Sequence, residues 1–518
     1  MRGRVGLLVA AIAGVLGAQG ASVRAEDWPQ WGRDGSKNAV SPEKGLVSSF
    51  EPGKFKADGE EIDPATTKNI KWIARLGSAA YGNPTVAGGR VFVGTNNEPA
   101  KDPKYQGDYG IVQCLEEGSG KLLWQLAVPK LAAGKNCDYE QVGICSSPAV
   151  DGDRVYLVTS RCEVICLDVN GLANGNDGPF KEEGQYVAGP GKPPIEVGPK
   201  DADILWRFDM RDELGAFPHQ MTASSVLVAG DRLYVTTSNG RDWTRKHIPS
   251  PDAPALICLD RRTGQLLGQE RSGISRRAFL SNWSSPALGK VNGQDLIIFG
   301  GGDGICYGFD PVPVKGADGI GVLKEIWRYD CNPPQRRVRD GKPSKYGDPK
   351  GPNEIIATPV FHNGRVYVAT GQNPEQGDGA GCLSCIDPAK VGDITTGGKI
   401  WADEEMPRSL SNVAIADGLL YHVDYAGIVR CYDAENGKLY WQHDTETRVW
   451  GSPLVADGKV YLGGESGAFV ILAAGKEKRV IGQMTFESPI FSSAIVANGV
   501  LYVATEKHLY AIQEGGKR

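Results

Sequence analysis

The chain has 518 residues, 41% of them hydrophobic and 23% charged, and its 57 basic against 62 acidic residues leave a net charge of −5. That balance gives no electrostatic case for nucleic acid. Local basic clusters such as Gln335-Arg336-Arg337-Val338-Arg339 read as solvated loop.

The first residues join a basic start, Met1-Arg2-Gly3-Arg4, to an apolar run from Val5 to Gly17 and a small-residue end, Val23-Arg24-Ala25. This pattern predicts a secretory signal peptide over residues 1–25, with Glu26 as the first mature residue. The apolar run is short for a bilayer, no cysteine stands at the cleavage region to carry a lipid, and nothing later reads as a transmembrane span. A periplasmic or secreted protein is expected. Residues 26–68 are expected to form an extension packed on the main body, residues 69–518.

From residue 69 onward one sentence repeats: a Ser-Pro or Ser/Asn opening, a Gly-Arg-Val-Tyr-Val-like run, a Gly-x-Val-x-Cys-Leu-Asp-like run and a Gly-Lys-x-x-Trp close. The turn glycines before the second run are Gly88, Gly152, Gly230, Gly293, Gly364, Gly418, Gly458 and Gly499. The last three recur about every 40 residues, the length of one four-stranded propeller blade. Alternation within each run has the period of a strand, as in Arg90-Val91-Phe92-Val93. The sequence therefore predicts an all-β, eight-bladed propeller, with strands a to d numbered outward from the axis. The last repeat lacks a d-strand, while Asn69-Ile70-Lys71-Trp72-Ile73 is a d-strand with no repeat before it. Pairing the two closes the ring and removes two open edges.

Eleven cysteines in an exported chain suggest disulfides. Five of them, Cys114, Cys166, Cys258, Cys385 and Cys431, hold one c-strand position in five blades, too far apart to bond, and read as buried packing residues. Cys137 with Cys145, and Cys162 with either, are candidate pairs. Cys382-Leu383-Ser384-Cys385 lacks the His that haem attachment needs and any second ligand pair for zinc.

Insertions between b and c (residues 96–109, 240–255, 371–381) and between d and a (129–144, 209–222, 329–355) fall on one face of the ring. The other face keeps tight turns, with one long exception at 170–203. Aligning the a-strand starts gives Tyr81, Cys145, Ala223, Trp283, Ile356, Leu410, Trp450 and Phe491, and two residues later Asn83, Ser147, Ser225, Ser285, Thr358, Asn412, Ser452 and Ser493. An apolar collar above a small polar ring is expected at the channel mouth. The candidate binding mouth is Tyr81, His219, Trp283, Arg408, Arg448, Trp450 and Phe491. No residue is assigned a catalytic or metal-binding role.

The repeats resemble the pyrroloquinoline quinone (PQQ) type of propeller, carried here by Ile165-Cys166-Leu167-Asp168, by Ile257-Cys258-Leu259-Asp260-Arg261-Arg262-Thr263-Gly264 and by Cys431-Tyr432-Asp433 running on to Trp441. The opening Asp27-Trp28-Pro29-Gln30-Trp31-Gly32-Arg33-Asp34-Gly35 is similar to the start of both quinoprotein dehydrogenases and exported, non-enzymatic repeat proteins. The resemblance to BamB-type assembly factors implies a binding or assembly scaffold, with an envelope protein or small ligand on the elaborated face and a monomeric chain. The resemblance to quinoprotein dehydrogenases implies PQQ with calcium, oxidising alcohols or sugars. A propeller hydrolase or lyase is a third class. Against the dehydrogenase stand the absence of adjacent cysteines and of any local motif for the calcium ligands or the catalytic Asp.

Overall fold

Eight sheets, each built on four antiparallel strands and three of them extended by a parallel strand, surround one axis in the computed structural model, which describes residues 26–516 apart from 101, 132–136 and 377–378. The predicted signal peptide lies outside the described residues. Blades 1 to 7 run in chain order over residues 85–129, 149–209, 227–270, 287–330, 360–403, 414–444 and 454–485. Blade 8 takes Ile495–Ala497, Val500–Ala504 and His508–Ile512 from the end of the chain, and its outer strand, Ile70–Arg75, from near the beginning. The register Trp72↔Ala511, Ile73↔Tyr510 closes the ring as the orphan strand predicted.

One cross-strand row explains why the repeat reads as it does. An aromatic b-strand residue faces the c-strand cysteine, which faces a d-strand tryptophan: Phe92↔Cys114↔Trp124, Tyr156↔Cys166↔Trp206, Tyr367↔Cys385↔Trp401 and Tyr421↔Cys431↔Trp441. A small residue between two large rings fills the sheet face without overpacking. Directly after this row each c–d pair carries a bulge, for example between Cys114 and Leu115 and between Cys431 and Tyr432, which bends the outer strand around the blade.

The tryptophans also join blades. Trp72 Nε1 donates to Glu117 O (2.8 Å), Trp124 to Val169 O (3.0 Å), Trp401 to Ala434 O (3.1 Å) and Trp441 to Gly475 O (2.9 Å), each acceptor lying in the next blade. A Cβ added at Gly120, Gly264 or Gly437 would stand 2.4–2.7 Å from the indole of Trp72, Trp206 or Trp401, and all three glycines have φ near +72. The Gly of Gly-Lys-x-x-Trp is therefore set by the tryptophan of the preceding blade as much as by its own turn. Insertions between c and d reach back across the same seams: Asp201 bridges Gln125, Val322 and Leu323 pair with Gln269 and Glu270, and Gly392 and Asp393 pair with Trp327 and Arg328.

All eleven cysteines are free thiols, which corrects the expectation of a pairing among Cys137, Cys145 and Cys162. The three point to different places: Cys137 lines a lateral cavity, Cys162 Sγ meets Thr237 O, and Cys145 Sγ lies 3.5 Å from Met221 Sδ at the axis. Burial raises the thiols of Cys114, Cys166, Cys258, Cys385 and Cys431 to about 12.

Candidate functional site

The inner strands converge on a cavity of about 460 Å³ on the axis. Its wall contains the whole predicted collar, Tyr81, Cys145, Ala223, Trp283, Ile356, Leu410, Trp450 and Phe491. Insertions add Tyr139, Val142, Gln220, Met221, Asn373, Pro374 and Glu375. Tyr81 and Phe491 stack with centroids 5.0 Å apart, and Trp450 meets Phe491 edge to face at 5.9 Å, the geometry aromatic quadrupoles favour.

Below the collar the small polar residues form a circular chain of hydrogen bonds. The backbone N–H of each donates to the side-chain oxygen of its neighbour in the next blade: Asn83 to Ser147 (3.2 Å), Ser147 to Ser225 (3.0 Å) and Ser225 to Ser285 (2.9 Å). The chain resumes from Thr358 to Asn412 (2.8 Å), Asn412 to Ser452 (2.9 Å), Ser452 to Ser493 (2.7 Å) and Ser493 back to Asn83 (2.6 Å). At the break between Ser285 and Thr358, the indole N–H of Trp31 donates to Thr358 Oγ1 (3.1 Å). The small residues are thus needed to hold eight strand starts together. One donor is left over: Asn412 is 3% exposed, its Oδ1 is used by Thr358, and its Nδ2 has no partner.

Trp31 belongs to a segment whose role the repeats do not announce. Residues 26–41 circle the axis at the tight-turn end and bond to seven blades in turn. Asn498 N donates to Glu26 O, Trp28 and Val86 exchange two bonds of 2.9 Å, and Val150 N donates to Pro29 O. Leu288, Phe361 and Val455 N then donate to Gly35, Ser36 and Ala39 O, and Ile415 N to Asn38 Oδ1. This girdle satisfies inner-strand N–H groups that a sheet edge would leave open. Inside its loop the fully buried Lys37 donates from Nζ to Gln30 Oε1 (3.1 Å) and Trp31 O (3.2 Å). Burial lowers this ammonium to about 7.

Two predicted mouth residues, His219 and Arg408, stand behind the wall, and Arg448 is exposed beside it. His219 is 1% exposed; its Nδ1 meets Arg241 O at 2.8 Å and its ring lies 5.8 Å from Trp283. Burial lowers its pKa, so a neutral ring donates from Nδ1 and backs Trp283. Arg408 and Arg448 both lie over the ring of Tyr425, at 4.7 and 5.8 Å, and Tyr425 in turn meets Trp450 edge to face. Sequence proximity to the collar placed these three at the mouth; His219 and Arg408 back its wall, and Arg448 stays exposed at its side. Farther out, the 331–355 insertion is pinned by the buried Glu354, which accepts from the Tyr346 hydroxyl (2.7 Å), while Tyr346 stacks on Phe279. Burial raises Glu354 to about 8.

The cavity offers little for chemistry on a substrate. Glu375 is the one carboxylate among the lining residues and it is held by Arg245 and Gln220. Burial raises Cys145 to about 12, which keeps it a thiol at neutral pH.

The family model described as outer membrane protein assembly factor BamB matches residues 61–171, 107–390 and 379–517, nearly the whole described chain. The chain belongs to this family. Among solved structures it is similar to BamB from Moraxella catarrhalis (14% identity, TM-score 0.52, covering 86% of this chain and 97% of that one). It is also similar to a europium-containing methanol dehydrogenase (13%, TM-score 0.55, 94% and 98%) and to the quinohemoprotein alcohol dehydrogenase from Comamonas testosteroni (15%, TM-score 0.50, 96% and 82%). At these identities the likeness is one of fold. No curated protein sequence matches the chain. Among the described residues no helix is long and apolar enough to cross a membrane.

Family and fold together raise the question of whether PQQ fits. It is a planar tricarboxylate held with a metal, so it calls for cations and a carboxylate cluster. The cavity lining contains aromatic faces but no lysine, arginine or histidine, and among the described residues no three His, Cys, Asp or Glu side chains gather as a metal site. The residues present do not fit the group.

Proposed function

We propose that this chain is an exported binding scaffold of the cell envelope, and that its recognition element is the collared axial cavity. One observation carries the reading: an aromatic wall with no lysine, arginine or histidine among its lining residues. Such a site favours an uncharged apolar group, as a partner's protruding loop or a small neutral ligand presents. Family membership supports a protein partner, and the signal-peptide pattern supports export.

The test is a photo-crosslinking residue at Ile356, expressed in the exporting host. A single envelope partner crosslinked by the wild type and lost in Trp283→Ala/Trp450→Ala, with an unchanged melting temperature, is the expected result. Aromatic anchors of this kind carry about 2 kcal/mol or more each. Saturable PQQ binding with calcium-dependent dye reduction on any alcohol or sugar would overturn it in favour of a quinoprotein dehydrogenase.

A further inference from the structure

The girdle begins and ends at one place. Glu26 N donates to Glu43 Oε1 (3.1 Å), and Gly499 N, in the a–b turn of blade 8, donates to Glu43 Oε2 (2.8 Å). Glu43 is 3% exposed. Around it the charge is one-sided. Asn498 Nδ2 donates to Asp27 Oδ1 (2.9 Å) and Glu117 Oε1 (3.0 Å), and the Tyr502 hydroxyl faces Glu117 (3.4 Å). Arg33, the cation at this spot, is turned to the Glu26 side chain. Among the described residues no lysine, arginine or histidine lies within ion-pair distance of Glu43. A buried carboxylate held only by neutral N–H groups beside further carboxylates is costly.

The missing cation is latent in the backbone. We propose that proteolytic removal of residues 1–25 locks the propeller, by creating at Glu26 the ammonium that Glu43 awaits. This rests on the signal-peptide reading. A leader peptidase hydrolyses the Ala25–Glu26 bond; water leaves a carboxylate on Ala25 and an amine on Glu26, which takes up a proton below about pH 8. The new –NH3+ stands where the peptide N–H already points at Glu43 Oε1. A neutral hydrogen bond becomes a charge-assisted one, roughly twice as strong, between the two ends of the girdle. The precursor lacks this charge at Glu26, and processing tightens the ring by supplying it.

The experiment compares the chain released in vitro by a site-specific protease to begin at Glu26 with the same chain carrying a Gly-Ser-Gly extension. Each is made with Glu43 and with Glu43→Gln, and unfolding rates in denaturant are read at pH 7 and pH 10. The free Glu26 terminus is expected to slow unfolding at pH 7 by about tenfold or more, and the advantage is expected to vanish at pH 10 and in Glu43→Gln. Should Glu43→Gln fail to fold, the pH dependence of the two Glu43 chains decides alone. Equal rates for both termini at pH 7, or an advantage that persists at pH 10, overturn the lock. The intact mass of the exported protein tests the processing step separately: a mature start at Glu26 supports it, and any other start overturns it.

Discussion

The two ends of the axial channel are built from the same eight repeats and finished in opposite ways. At the tight-turn end, residues 26–41 run from blade to blade and bond inner-strand N–H groups in seven of them. At the elaborated end the described insertions meet over the mouth, as where Gln220 donates to Glu375, and the strands finish in a collar rich in aromatic rings above Asn412. A repeat builds a ring, and what closes or opens its ends is the part of the chain that does not repeat.

The largest expected effect follows from removing that part. Deleting residues 26–73 takes away both the girdle and the outer strand of blade 8, and calorimetry should show the cooperative transition falling by at least about 10 °C. An unchanged melting curve breaks the comparison. Gly32→Ala is a smaller cut at the same end. Its Cβ would stand 2.6 Å from Lys37 Cα at a φ of +69, so a loss of roughly 2–4 kcal/mol in denaturant unfolding is expected.

The ends should also titrate in opposite senses. Glu354, at the elaborated end, has its folded pKa raised by burial from 4.5 to about 8. Its contribution is fully present below pH 4.5 and is lost as pH rises through about 8. Glu354→Gln should therefore flatten the fall in melting temperature across that window. Lys37, in the girdle, has its pKa lowered from 10.5 to about 7. Its contribution is present above pH 10.5 and is lost as pH falls through 7, so the stability of Lys37→Met relative to wild type should be greatest below pH 7 and decline toward pH 10. Parallel pH profiles for the two variants would sink the contrast. The smallest effect concerns the seams between the ends: native thiol labelling with mass mapping should leave Cys114, Cys166, Cys258, Cys385 and Cys431 unmodified over hours, and rapid modification of Cys258 or Cys431 would contradict their burial.

The ring, its closure by residues 70–75 and the collar were legible because each is a column in a repeat, and a column averages eight local environments. Asn412 was legible as a small polar residue, but its idle Nδ2 was not, since that depends on where Thr358 N points. Residues 26–68 were expected to pack on the ring, but the circular path of Trp28 to Ala39 was not legible, since these residues follow no period and meet different blades in turn. His219 sits on the 209–222 insertion and Arg408 and Arg448 on short connections between blades, where neighbouring sequence positions turn to different partners, so chain proximity to Trp283 or Trp450 did not fix their direction.

The seams carry one further consequence, for how the ring bears load. Tryptophans reach forward to the next blade, while the insertions ending at Asp201, Leu323 and Asp393 reach backward over the previous one. Like overlapping roof tiles, blades 1 and 2 are fastened from both sides, by Trp124 reaching forward and Asp201 reaching backward, while the seams between blades 3 and 4 and between 4 and 5 carry the backward overlap. Among the described residues blades 7 and 8 carry no such overlap and are covered instead by the N-terminal segment: Val40 and Ser41 pair with Val455 and Ala456, the Tyr461 hydroxyl donates to Val47 O, and Phe50 packs on Phe469 and Phe486. A pull on the N-terminal segment therefore strips this cover from blades 7 and 8 before it loads the tiled seams.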